Sequence, residues 1–273
     1  MIVFPKAKIN LGLRITEKRA DGYHNIETMF YPVGLCDVLE FVVSDSARGN
    51  DDITVSGLHV DIRPEDNIVI KAVKRLREAY SFPFLHIHLH KAIPSGAGLG
   101  GGSSDAACML KSLNRHFNLA ISDNVLKSIA LETGSDCPFF INGEPSFATG
   151  RGEILQPAGP VLSGYYLLLL NPGIGINTSE AYRKCSPMAP SSSLLRLSEF
   201  KIQEWKDHIF NDFEEYAFRK HPIIKYIKHG LYESGALFSL MSGSGSSVYG
   251  IFPGKPETVP QWLKDMKIWE GAM

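Results

Sequence analysis

The sequence predicts a soluble globular chain of mixed helix and strand, folded as about two domains. Three observations carry this: a length of 273 residues against about 150 per domain, 44% hydrophobic against 21% charged residues, and apolar spacing that switches between periods of 2 and 3.6 along the chain. Lys and Arg number 28 against 29 Asp and Glu, a formal net charge of -1. No global field therefore draws the chain to nucleic acid or to an anionic membrane, and any phosphate must be held locally.

Residues 1–15 read as extended, with Ile2, Val3, Ile9, Leu11 and Leu13 partly alternating around Pro5 and two lysines. A second strand is expected over 38–43. Segment 66–80 opens on Asp66, an N-cap type of residue, and repeats Ile68, Ala72 and Leu76 at helical spacing. Residues 84–90 alternate strictly, Leu85, Ile87 and Leu89 against His86, His88 and His90, which is the mark of a half-buried strand. A glycine cluster follows and opens at a Ser-Ser N-cap into a helix from Ser104, striped by Ala106, Leu110, Leu113 and Phe117; a second helix is expected over 123–132. After Gly134 the pattern is irregular. The apolar run 165–170 reads as a buried strand ending at Asn171-Pro172-Gly173, with a domain boundary near residue 157. Beyond it, helical segments over 178–184, 211–220 and 223–233 interleave with strand-like ones over 236–241 and 247–252. The serines at 191–193, beside two prolines, read as a surface loop.

Cys36, Cys108, Cys137 and Cys185 lie far apart with no CxxC pair, which argues against a disulfide framework or zinc ribbon. With no basic leader and no apolar run of about 18 residues, the expected setting is the cytoplasm. His86, His88 and His90 could be drawn as a metal triad, but neighbouring ligands on one flat strand rarely converge on one ion, so they are expected at the surface. Cys137 has no partnered histidine in the sequence and is expected as a small buried side chain.

The strongest local feature is Pro94–Ala107, PSGAGLGGGSSDAA, with five glycines in the seven residues 96–102. Glycines allow positive φ and close backbone approach, and a first helical turn presents unpaired N–H groups and the positive end of the helix dipole. The combination forms a phosphate cradle. Gly96–Gly101 matches GxGxxG, yet a helix stands where the dinucleotide fold needs a second strand with an acidic residue. A P-loop needs a lysine after the glycines and none follows; the HRD and DFG signatures of protein kinases are also absent.

PxxxGLGxxSS opening a helix, an N-terminal AKIN and a late SGSGSS resemble, in the same order, the motifs of the GHMP kinase superfamily. Pro5–Leu11 (PKAKINL), Arg19–His24 (RADGYH) and Gly134–Pro138 (GSDCP) narrow the resemblance to its members that act on a cytidine diphosphate methylerythritol. It spans residues 5–252, and DGYH discriminates these members from homoserine or mevalonate kinases. The resemblance implies an α+β fold of two-domain GHMP kinase architecture. An N-terminal ribosomal-protein-S5-domain-2-like nucleotide-binding domain (1–157) would be followed by a ferredoxin-like C-terminal domain (158–273), with the active site in the cleft between them. It implies ATP and Mg2+, and transfer to the 2-hydroxyl of a small-molecule acceptor in non-mevalonate isoprenoid synthesis.

Transfer to an alcohol needs phosphate charge neutralised, the acceptor placed in line, and a destination for its proton. An ammonium and a carboxylate suit this, but a lysine among strand residues is ordinarily solvated and an aspartate after Gly-Ser is ordinarily a cap. The resemblance selects Lys8, not Lys6, and Asp136 as the catalytic pair. It implies that Tyr23 stacks on cytosine and His24 bonds its polar edge, and that Asn10, Asp136, Thr178, Tyr182, Gly243 and Ser244 contact substrate. At Tyr182 some relatives carry phenylalanine. For ATP it implies Pro94, Ser95, Gly96, Ala97, Gly98, Leu99, Gly100, Gly101, Gly102, Ser103 and Ser104 around the phosphates, with Ser103 or Ser104 near the metal. Asn67 is either on the adenine side or a helix cap. SGSGSS is either a second phosphate-facing backbone or a simple turn between strands.

Overall fold

The computed structural model describes residues 1–44, 49–60, 62–187 and 193–273. Its strands are β1 (Ile2–Val3), β2 (Lys6–Lys18), β3 (His24–Cys36), β4 (Val38–Val43), β5 (Asp52–Gly57), β6 (Leu85–Lys91), β7 (Ser146–Thr149), β8 (Ile154–Pro157), β9 (Tyr166–Leu170), β10 (Phe238–Met241), β11 (Val248–Phe252) and β12 (Lys267–Ala272). Its helices are α1 (Ile68–Arg77), α2 (Gly101–His116), α3 (Asp123–Thr133), α4 (Cys137–Asn142), α5 (Thr178–Lys184), α6 (Trp205–His208), α7 (Glu214–Lys220), α8 (Pro222–Glu233) and α9 (Gln261–Lys264).

These elements form two compact units. One comprises Met1–Ala7, Leu35–Ser95 and Gly100–Glu144; the other comprises Lys8–Gly34, Gly96–Leu99 and Pro145–Met273. In the first, a sheet of order β1-β4-β6-β5 pairs antiparallel except for β5 beside β6. Leu85, Ile87 and Leu89 are buried while His86, His88 and His90 are exposed, as the alternation predicts. Helix α2 lies on this sheet: Phe41 meets His116 edge-on at 5.4 Å and Lys91 bonds Asp105. Helix α1 buries Val69, Ala72, Val73 and Leu76 and ends in Lys74, Arg75 and Arg77, where cations favour the helix dipole.

The second unit holds two sheets, β2-β3-β7-β8 and the antiparallel β10-β11-β9-β12. Its core gathers Leu13, Ile15 and Ile26 with Leu168, Leu170, Phe213, Ile224, Ile227, Leu231 and Val248. No helix among the described residues is long and apolar enough to cross a membrane.

Several boundaries differ from the sequence expectation. Helix α1 is capped by Asn67, whose Oδ1 accepts the Val69 N–H at 2.9 Å, because Pro64–Asp66 forms its own 3-10 turn. Helix α2 starts at Gly101: Gly100 turns the chain at φ 69° without a side-chain cap, so Ser103 and Ser104 fall inside the first turns rather than capping them. Helix α4 occupies part of the stretch that looked irregular. Helix α7 begins only at Glu214, since Asn211 and Asp212 bond to neighbouring segments. Ser191 and Ser192 lie outside the described residues; Ser193 accepts the Leu195 N–H at the start of a 3-10 helix.

Candidate active site

In the second unit, Lys8 is 3% exposed while Lys6, in the same strand, is exposed. Burial of an ammonium requires partners. Lys8 Nζ donates to Asn10 Oδ1 at 2.6 Å and to the Gly98 carbonyl at 3.1 Å, and lies 5.1 Å from the Phe30 ring centroid. The Lys8 N–H also donates to Leu99 O at 3.0 Å. The strand carrying AKIN is thus stitched to the first glycine loop by main chain and side chain together.

The second glycine-rich motif meets the same loop. Ser242–Ser247 is a packed turn between β10 and β11, closed by Ser242 N–H to Ser247 O at 2.9 Å, with every residue buried. Ser242 Oγ donates to Gly98 O at 2.8 Å and accepts the Asn10 N–H at 3.2 Å. A Cβ on Gly98 would fall 1.9 Å from Ser242 O, and one on Gly243 would fall 3.1 Å from Gly98 O and 3.2 Å from Asn10 Oδ1, so both glycines are required for this approach. Ser247 N–H donates to Ala97 O at 3.2 Å. Ser244 Oγ and Thr178 Oγ1 are 2.8 Å apart, at the start of α5. Lys8, Asn10, Ala97–Leu99, Thr178, Gly243 and Ser244 therefore form one constellation.

Tyr23 and His24 follow the Asp21-Gly22 turn. Tyr23 is 53% exposed, with the Arg151 guanidinium 4.8 Å from its ring centroid. His24 stacks on Tyr182 at 5.0 Å and 16°, and Tyr182 meets Phe213 edge-on at 4.9 Å. Burial, helped by nearby Lys18, holds the His24 imidazole below its ordinary pKa. Neutral at pH 7, it offers one ring donor and one acceptor.

The first unit carries the remaining predicted residues. Pro94 and Ser95 follow β6, and the first turn of α2 presents the N–H groups of Gly101, Gly102 and Ser103 without intrahelical carbonyl partners. Gly102 is exposed, Ser103 half-buried and Ser104 buried. Gly101 serves packing, since a Cβ there would meet Ile93 at 2.8 Å. Asn67, 7% exposed, is engaged as the cap of α1. Asp136 stands at the N-cap position of α4 with no side-chain capping bond. Cys137 is buried, accepts from Thr133 Oγ1 at 3.4 Å, and has its thiol pKa raised by that burial.

Sequence reasoning did not single out Lys91, Asp37 and Asp105. All three are buried; Lys91 Nζ bonds both carboxylates, at 2.7 Å to Asp105 Oδ2, and Asp37 Oδ1 also accepts the Ala92 and Ile93 N–H groups. Burial pushes the Asp105 carboxyl up to about 7, against the opposing pull of Lys91. The signal was present, because Lys91 is in phase with Leu85, Ile87 and Leu89. Asn211, whose Nδ2 donates to Met241 O at 2.7 Å and Gly243 O at 2.8 Å, braces the second glycine turn and was also missed.

The chain is similar to known proteins. The family model "GHMP kinases N terminal domain" matches residues 67–144, and "GHMP kinases C terminal" matches 196–262. The chain is 49% identical over 274 residues to the 4-diphosphocytidyl-2-C-methyl-D-erythritol kinase of Parabacteroides distasonis, with 100% of each chain covered. It is 49% identical over 276 residues to the enzyme of that name from Bacteroides thetaiotaomicron, again over 100% of each. A crystal structure of a 4-(cytidine 5'-diphospho)-2C-methyl-D-erythritol kinase superposes with a TM-score of 0.81 at 30% identity, covering 99% of this chain and 98% of that one. A homoserine kinase from Cytophaga hutchinsonii, at 16% identity and TM-score 0.58 over 92% and 86% of the two chains, shares the fold. With the α+β architecture and the three motifs in order, these matches establish that the chain belongs to the GHMP kinase family.

Proposed function

We propose that the protein is an ATP-dependent kinase that phosphorylates the 2-hydroxyl of 4-diphosphocytidyl-2-C-methyl-D-erythritol, giving the 2-phosphate and ADP in isoprenoid precursor synthesis in the cytoplasm. The observation that carries this reading is 49% identity, over the full length of both chains, to a kinase of that name.

The geometry supports the division of labour. The carbonyls of Ala97, Gly98 and Leu99 are engaged by donors of their own unit, and the first turn of α2 offers N–H groups. We place the ATP phosphates against residues 94–104, whose backbone N–H groups would be the donors, and the adenine beside Asn67. We assign nucleotide binding to the sequence span 1–157 and the C-terminal domain to 158–273, spans that the compact units do not follow, since Lys8–Gly34 and Gly96–Leu99 group with Pro145–Met273. Lys8 stabilises negative charge on the transferring phosphoryl group and the developing alkoxide, and Asp136 receives the hydroxyl proton. Asn10, Thr178, Gly243 and Ser244 orient the acceptor.

At the base, neutral His24 answers the mixed donor and acceptor edge of cytosine, while Tyr23 and Tyr182 supply stacking surface, about 1–3 kcal/mol per base. Among the described residues no group of three or more His, Cys, Asp or Glu side chains is arranged to hold a metal. Ser103 or Ser104, in the first turns of α2, would offer a hydroxyl to Mg2+ otherwise held by phosphate oxygens and water; when bound, the ion would neutralise phosphate charge.

The test is to supply purified protein with ATP, Mg2+ and a panel of alcohols, following ADP and new phosphate ester. Turnover of the cytidyl substrate is expected. Turnover of homoserine or mevalonate instead would retain the family and refute the substrate. Lys8→Ala and Asp136→Ala are each expected to bind ATP but lose turnover by about 100-fold or more.

A further inference from the structure

We infer that Thr28 is a positioning residue for the phosphoryl-transfer lysine: it fixes which way the Asn10 amide faces, and so presents an oxygen to Lys8. Thr28 lies on β3, 0% exposed, and Asn10 on the adjacent β2, 1% exposed. Thr28 Oγ1 donates to the Gly12 carbonyl at 2.5 Å. A hydroxyl has one proton, so toward Asn10 it can only accept, and the Asn10 atom 2.9 Å away must be the nitrogen, Nδ2.

The consequence runs along one chain of contacts. With Nδ2 committed to Thr28, Oδ1 is turned to Lys8 Nζ, 2.6 Å away. The two ends of a carboxamide have nearly the same shape, and only their partners decide between them. Flipped, Asn10 would set an NH2 against an ammonium, donor against donor. At the start of the chain only glycine fits, because Gly12 has φ 78° and a Cβ there would meet Ile209 and Leu194 at 2.9 Å. Lys8, Asn10, Gly12 and Thr28 thus form a polarity relay from a backbone carbonyl to the ammonium, with Gly98 O as the second acceptor on Lys8.

The inference rests on the proposed role of Lys8. Thr28→Val keeps the side-chain shape and deletes the hydroxyl; kcat is expected to fall about 10- to 100-fold, with KM for ATP essentially unchanged. Thr28→Ser should restore kcat, and in an Asn10→Ala background Thr28→Val should cost nothing more. Thermal unfolding checks that each variant is folded, and Thr28→Ala, which has neither donor nor acceptor, replaces a valine variant that is not. Unchanged kcat in folded Thr28→Val or Thr28→Ala, failure of serine to rescue, or a full further loss in the Asn10→Ala background overturns the inference. Lys8→Ala separates the two failures: near-normal turnover there refutes the reading of Lys8 itself, whereas an inactive Lys8→Ala beside an active Thr28→Val refutes only the relay.

Discussion

Lys91 stands on the same face of β6 as Leu85, Ile87 and Leu89, so the alternation that buries three apolar side chains also buries an ammonium. It is tolerable only because Asp37 and Asp105 flank it. Lys91→Met should therefore leave two buried carboxylates without their cation and cost about 3–5 kcal/mol in urea unfolding at pH 7; a loss below about 1 kcal/mol would show that the pairing does not hold this region. At this scale the sequence was partly legible. Periodicity placed the three histidines outward, where His88 and His90 share the Ser56 hydroxyl. It could not separate Lys6 from Lys8, because β2 is buried on both faces from Ala7 to Leu13 and alternation carries no information there. Motif resemblance, not spacing, selected the lysine that is buried. Partners such as Thr28 and Asp37 stayed hidden because their meaning lies in contacts across many residues of chain.

The first glycine loop shows why glycines in one motif are not equivalent. Gly96 and Gly98 both have positive φ, 63° and 77°, but a Cβ on Gly96 meets nothing within 4 Å, whereas one on Gly98 strikes the Ser242 carbonyl. Gly96→Ala should cost about 1–2 kcal/mol, the strain of the left-handed region. Gly98→Ala should cost clearly more and raise the KM for ATP, since loop or turn must move; equal unfolding midpoints for the two variants would refute that ranking. Elements with clear periods, such as β4, β6, α3 and α5, were readable to within a residue or two. Strand β3 was not, because Ile26–Tyr31 is buried without a break and Pro32 interrupts the run. Helix α4 is a six-residue element with proline in its first turn, too short for a repeat to register.

For the whole molecule, the near-zero formal charge leaves little general self-repulsion, so the pH dependence of stability falls to particular buried groups. Asp105 is the clearest. Its folded pKa of about 7 lies above the ordinary 3.8, so the folded state holds a proton that the unfolded chain releases. That contribution is fully present below about pH 4 and is lost as pH rises through about 7. Lys91, raised above 10.5 by its two carboxylates despite burial, keeps its own contribution throughout that window. The stability difference between wild type and Asp105→Asn should therefore shift against wild type from pH 5 to pH 8, measured by urea titration; a pH-independent difference would refute the assignment. The membership of the two units was not legible either, since each draws on three separated stretches of chain and sequence order alone suggests a single cut. The engaged carbonyls of Ala97, Gly98 and Leu99 have a further consequence. A peptide segment ordinarily shows both signs of partial charge, yet here each of the three carbonyls already accepts an internal donor, and Gly98 O accepts two, so the balance of what the loop can offer shifts toward its hydrogens. Such a surface selects by sign, favouring an anion over a cation of the same size.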